Sequence, residues 1–163
     1  MNDIPQRSQQ VHSAFTNLPN LSDQEDQIGA VIHCQFEKLK GETVARLAPD
    51  QDPPGEGSGS FSLEGKLVIM RLNPENDQIE IFVDVGVPHA HSREEVYRAL
   101  LEMNLSRTYP GVVFGIHAES RRAVLTSSAH VFMVTDADAC ISWISSLVDI
   151  AKQMTLRCEI EIS

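Results

Sequence analysis

The sequence predicts an α+β domain with helices packed on one antiparallel sheet and elements in the order α-β-β-β-α-β-β-α. Three observations lead there. Apolar residues recur at three- and four-residue steps in three separate segments, each behind a polar cap signal. Between those segments lie short runs rich in Val, Ile and Leu, divided by turn-forming clusters. The length, 163 residues, suits one domain with its own core.

The first helix is expected at about 23–40. Ser22 and Glu25 have capping-box spacing, and Ile28, Val31, Ile32, Phe36 and Leu39 form a stripe that Gly41 should stop. Residues 1–21 are polar and carry Pro5 and Pro19, so they read as a poorly ordered extension to a single domain over 22–163. Inside that domain, 48–60 gathers Pro49, Pro53, Pro54, Gly55, Gly57 and Gly59 among acids and reads as a flexible loop. Phe61–Leu63, Lys66–Asn73 and Gln78–Val85 follow as a three-stranded meander. Ser92 and Glu95 open a second helix with Val96, Tyr97, Leu100, Leu101 and Leu105 on its stripe, ending before Tyr109-Pro110-Gly111. Val112–His117 and Ala123–Thr126 form a hairpin around Glu119–Arg122. Thr135 and Asp138 cap a last helix over about 136–155, the most regular stripe of the chain.

Charge narrows the function. Thirteen Lys and Arg against 23 Asp and Glu give −10, which argues against nucleic acid and anionic membranes and favours a basic or neutral polypeptide partner. No segment approaches the roughly 18 apolar residues of a membrane span, and Met1–Asn20 holds no apolar signal-peptide run. Cys34, Cys140 and Cys158 are odd in number with no C-x-x-C, so they are expected to be reduced, mostly buried thiols of a cytoplasmic protein.

Chemistry finds little support. Gly59 and Gly65-Lys66 approach a phosphate loop, but five residues separate the glycines where four are needed, and Leu67 stands where a hydroxyl should. Cys34 beside His33 lies on the first helix and would be reactive only with an electropositive neighbour to lower its pKa, so a buried structural thiol is expected. His89 and His91 form H-x-H, and with His117 they support a rival reading as a small metal-dependent hydrolase. No H-E-x-x-H or paired carboxylates accompany them, so no metal, cofactor or catalytic residue is expected. Binding is the better prospect: an apolar helix face and a sheet edge with free N–H and C=O groups could hold an extended peptide.

Phe82 to Met154 carries a further pattern: Tyr97-Arg98-Ala99-Leu100-Leu101-Glu102-Met103-Asn104-Leu105, then Gly111-Val112-Val113-Phe114-Gly115-Ile116-His117, then Arg122-Ala123-Val124-Leu125 and the closing helix from Asp136. This stretch resembles the class I chaperones of bacterial type III secretion systems. The resemblance implies a cytoplasmic bacterial homodimer without cofactor or catalysis. It implies binding of the extended N-terminal region of a secreted effector, which is kept soluble and competent for export, with the secretion ATPase as a further partner. Under it, Ile28, Val31, Ile32, Phe36, Leu39, Val68, Met70 and Ile81 are expected to form the effector groove. Val96, Leu100, Met103, Val113 and Phe114 are expected at the dimer contact. A protein-interaction module unrelated to secretion is the third reading.

Overall fold

A computed structural model describes residues 21–52, 55–158 and 160–161, with side chains over 25–52 and 55–158. The expected disorder of the N-terminal extension therefore falls almost wholly outside the described residues. The chain divides between Val31 and Ile32 into two units, the first described only as the opening turns of a helix.

The elements are α1 (Leu21–Leu47), β1 (Ser58–Leu63), β2 (Lys66–Asn73), β3 (Gln78–Pro88), α2 (Arg93–Ser106), β4 (Val112–Ile116), β5 (Ala123–His130), α3 (Ala137–Arg157) and β6 (Ile160–Glu161). The strands pair antiparallel in the order β1-β2-β3-β5-β4, and β6 adds to the end of β3 at Val87 and Pro88. The α+β class and the expected order of the first eight elements are observed. The short β6 lies beyond them.

Register explains the core. Phe61, Val68, Val83, Leu125 and Phe114 stand opposite one another across five strands, and all five are buried. Because strand side chains alternate faces, this row defines the inner face, on which α3 packs through Cys140, Ile144, Leu147, Val148, Ala151 and Met154. Burying a Leu, Ile or Phe side chain contributes about 1.5–3 kcal/mol each, so this layer is the main stabilising element. From Ile32 onward α1 buries Ile32, Phe36, Leu39, Thr43 and Val44.

Several boundaries move from expectation. Gly41 does not stop α1, which runs on through Val44 to Leu47. A mid-helix glycine costs only about 1 kcal/mol, less than the burial of Val44 and its neighbours contributes. Ser92 precedes α2 but makes no cap bond: its ψ of 5° is not the extended geometry a capping side chain needs. Asp136, not Thr135, caps α3, accepting from the Ala139 N–H at 2.8 Å. That N–H, with help from Thr135, holds the Asp136 carboxyl below its ordinary range despite the opposing effect of desolvation. β5 extends through polar Ser127–His130, and the apolar Val131–Met133 is a single 3-10 turn.

The proline- and glycine-rich segment is tied down where it is described. Strand β1 already begins at Ser58. Before it, Lys40 donates to the Gly55 carbonyl at 2.5 Å, and the Gly57 N–H donates to Glu37 at 2.9 Å. Lys40 and Glu37 also form an ion pair at 2.7 Å. The turn between β1 and β2 uses Glu64 and Gly65, both at positive φ, the two-residue geometry that suits a tight hairpin.

Candidate functional site: the open face and edges of the sheet

The sheet face opposite the core row lacks a covering helix among the described residues. Across it the register aligns Ser60, Ile69, Phe82, Thr126 and Val113, and beside that row Ser58, Arg71, Glu80 and Ser128. Leu67, Ile69 and Val113 are exposed. A shallow depression of about 290 Å³ lies here, lined by Arg71, Glu80, Phe82, Val113, Thr126 and Ser128. Its chemistry is mixed. The Arg71 guanidinium stacks over the Phe82 ring, 4.7 Å from its centroid, and donates to Glu80 at 2.6 Å. The Asn73 amide and that guanidinium hold the Glu80 carboxyl below its ordinary range, outweighing desolvation. The face thus offers an apolar strip with a fixed ion pair beside it, suited to an extended polypeptide more than to a small anion.

Both outer edges of the sheet are engaged by carboxamides. On β4, Asn104 of α2 accepts from the Phe114 N–H at 2.9 Å and donates to the Phe114 carbonyl at 2.8 Å. On β1, Gln51 accepts from the Ser62 N–H and donates to the Ser62 carbonyl, both at 2.8 Å. Each pair of bonds copies what a neighbouring strand would make, so each blunts an edge against unwanted pairing.

The expected effector-binding residues divide sharply by burial. Ile28 and Val31 are exposed on the first unit. Ile32, Phe36, Leu39, Val68, Met70 and Ile81 are core residues with almost no accessible surface. On β2 the accessible apolar side chains are those of opposite parity, Leu67 and Ile69. The residues expected at a dimer contact divide the same way. Val96, Leu100, Met103 and Phe114 are buried within the chain, whereas Val113 is exposed. The exposed apolar residues of α2 are Leu101 at 62% and Leu105 at 85%, which stand one turn apart on its outer side. The signal that could have found the outer face is in β2 itself. A run of Leu67, Val68, Ile69 and Met70 is apolar on both faces, as strands covered on both sides are.

The residues weighed for chemistry do not converge. The rings of His89 and His91 stack with centroids 5.4 Å apart. Among the described residues no three His, Cys, Asp or Glu side chains group to hold a metal. His117 instead meets the Ser120 hydroxyl at 3.0 Å in its own turn. Of the cysteines, Cys140 is buried, while Cys34 is exposed rather than buried as expected. Burial pushes the Cys140 thiol up, away from the reactive thiolate, and Thr43 offsets this only in part. Lys66, beside the glycine of the supposed phosphate loop, is buried and donates to the Val85 carbonyl at 2.8 Å and to Thr155 at 2.6 Å. No helix of the described residues is long and apolar enough to cross a membrane.

No protein-family model matches the sequence, and no curated protein matches it. Solved structures do. A chain of the ExsC-ExsE complex matches with a TM-score of 0.65 at 16% identity, over 77% of this chain and 95% of that one. A chain of the HopA1-SchA chaperone-effector complex matches with a TM-score of 0.57 at 10% identity, over 75% and 94%. A chain of the heterodimeric ExoU-SpcU complex from the type III secretion system of Pseudomonas aeruginosa matches at 0.51 and 18%, over 76% and 98%. At these identities the likeness is one of fold, and the chain has the α+β fold of type III secretion chaperones found in complexes with effectors.

Proposed function

We propose that this chain is a non-catalytic chaperone of type III secretion that binds an extended N-terminal segment of a secreted effector and keeps it soluble until export. The observation that carries the reading is the fold match, in which the chain spans 95% of the ExsC-ExsE partner and 94% of the HopA1-SchA one. It is supported by a net charge of −10 and an apolar strip on an uncovered sheet face. Ordering a disordered segment costs several kcal/mol, which only a large contact offsets.

The binding surfaces follow from exposure. Leu67, Ile69 and Phe82 on the open face, and separately Ile28 and Val31, are proposed to meet the effector. Leu101, Leu105 and Val113 are proposed to meet a second copy in a homodimer, with Val96, Leu100, Met103 and Phe114 supporting them from beneath. A symmetric pair presents each surface twice to one effector chain. Deleting the gene in the source bacterium tests the reading. One secreted protein should lose stability and export, and in wild-type cells it should co-purify with this chain through its N-terminal segment. Unchanged secretion of every substrate would contradict it.

A further inference from the structure

The two carboxamides on the sheet edges differ in footing. Asn104 sits on α2 next to buried Met103 and one turn from buried Leu100, so its helix holds it against β4. Gln51 sits on an exposed segment after α1, anchored locally by its own N–H on the Ala48 carbonyl at 3.1 Å. Among the described residues, its side chain reaches the sheet through the two bonds to Ser62. Since those bonds show that the Ser62 N–H and C=O point away from β2, the two-residue period points those of Ser60 and Ser58 the same way. No described strand lies beyond β1.

We propose that Gln51 is a displaceable edge guard. Its carboxamide stands in for a strand at Ser62 and swings away when an extended polypeptide segment pairs with β1. The exchange is favourable by count: a segment running past Ser58, Ser60 and Ser62 can use all of their outward N–H and C=O groups, whereas Gln51 satisfies those of Ser62 alone. A passing edge that offers only one or two bonds gains nothing by displacing it. The guard therefore selects for long extended segments and keeps the empty edge from pairing with chance neighbours. That the incoming segment belongs to an effector rests on the chaperone reading; the guard itself does not.

The test compares wild type with Gln51→Ala, an exposed position whose truncation leaves the core untouched. Hydrogen exchange at the Ser62 amide should speed by about tenfold in the variant, while exchange at Phe61, whose amide faces β2, stays the same. A blocked peptide of alternating Thr and Val should bind the variant roughly tenfold more tightly than wild type, and its fully N-methylated counterpart should bind neither. Unchanged exchange at Ser62, or equal binding of the plain peptide by both proteins, including none by either, overturns the proposal. So does Gln51→Ala pairing with itself through β1 in preference to the peptide, which would make a second copy the occupant. Effector co-purification is read on wild type alone, so the chaperone reading and the guard fail by different measurements.

Discussion

Two lysines are buried in this chain, and their surroundings differ in a way that decides what each contributes. Lys40 is neutralised by Glu37 and donates to the Gly55 carbonyl, so its charge is paired where it is buried. Lys66 donates only to neutral oxygens, those of Val85 and Thr155. Burial lowers its pKa, and the field of Asp84 only partly restores it while Arg122 opposes. A lysine with a folded-state pKa below its unfolded value is a cost to stability at neutral pH, and the cost is relieved as pH rises from the folded value toward the unfolded one. Replacing Lys66 by Met, of similar volume, removes the buried charge and leaves Thr155 its bond to Val85 at 2.8 Å. The urea midpoint of wild type minus that of Lys66→Met should therefore increase between pH 7 and the ordinary lysine range near ~10.4. A constant difference would mean that Lys66 titrates normally.

At the level of the element, β2 decides how the sheet is used. Its buried residues, Lys66, Val68 and Met70, face α3 and the core; its exposed ones, Leu67 and Ile69, face outward. Val68→Asp should cost at least ~3 kcal/mol, because an uncompensated carboxylate would enter the central row. Ile69→Asp should cost under ~1 kcal/mol yet weaken effector binding by about tenfold or more, measured by co-purification and by titration of the captured segment. Equal partner binding by Ile69→Asp and wild type would remove the open face from the account. The same strand shows what was legible beforehand. Its limits, Lys66–Asn73, follow from the apolar run and its turn formers, as do the start of β3 at Gln78 and the end of α2 before Tyr109. Which parity faces inward does not follow, because Leu67-Val68-Ile69-Met70 is apolar on both sides and shifting by one residue exchanges the faces. Hence Val68 and Met70 were expected in a groove and lie in the core; Ile81 lies there too, although the alternation of β3 already pointed it inward with Ile79, Val83 and Val85. Ser127–His130 was not read as strand because its Ser and His carry no β pattern; pairing with β3 imposes it. The bonds of Gln51 and Asn104 to the sheet edges were also beyond reach, since they depend on where a loop and a helix come to rest.

For the whole molecule, α3 packs on one face of the sheet, and among the described residues no helix covers the other. Its β4 edge is fixed shut by α2, and its β1 edge is shut by a side chain on a loop. Such an arrangement is suited to hold another chain. Leu101 and Leu105 on α2, and Val113 on β4, are exposed apolar side chains, which the proposed pairing of two copies would cover. Leu105→Asp, at a position 85% exposed, should leave thermal stability within ~0.5 kcal/mol of wild type while shifting the protein toward monomer in light scattering. The most direct measurement is native mass spectrometry of the protein isolated from its source with whatever it carries. The account predicts a complex with the mass of two 18.1 kDa chains plus one secreted polypeptide, attached through its N-terminal segment. A single 18.1 kDa chain with nothing bound would contradict it.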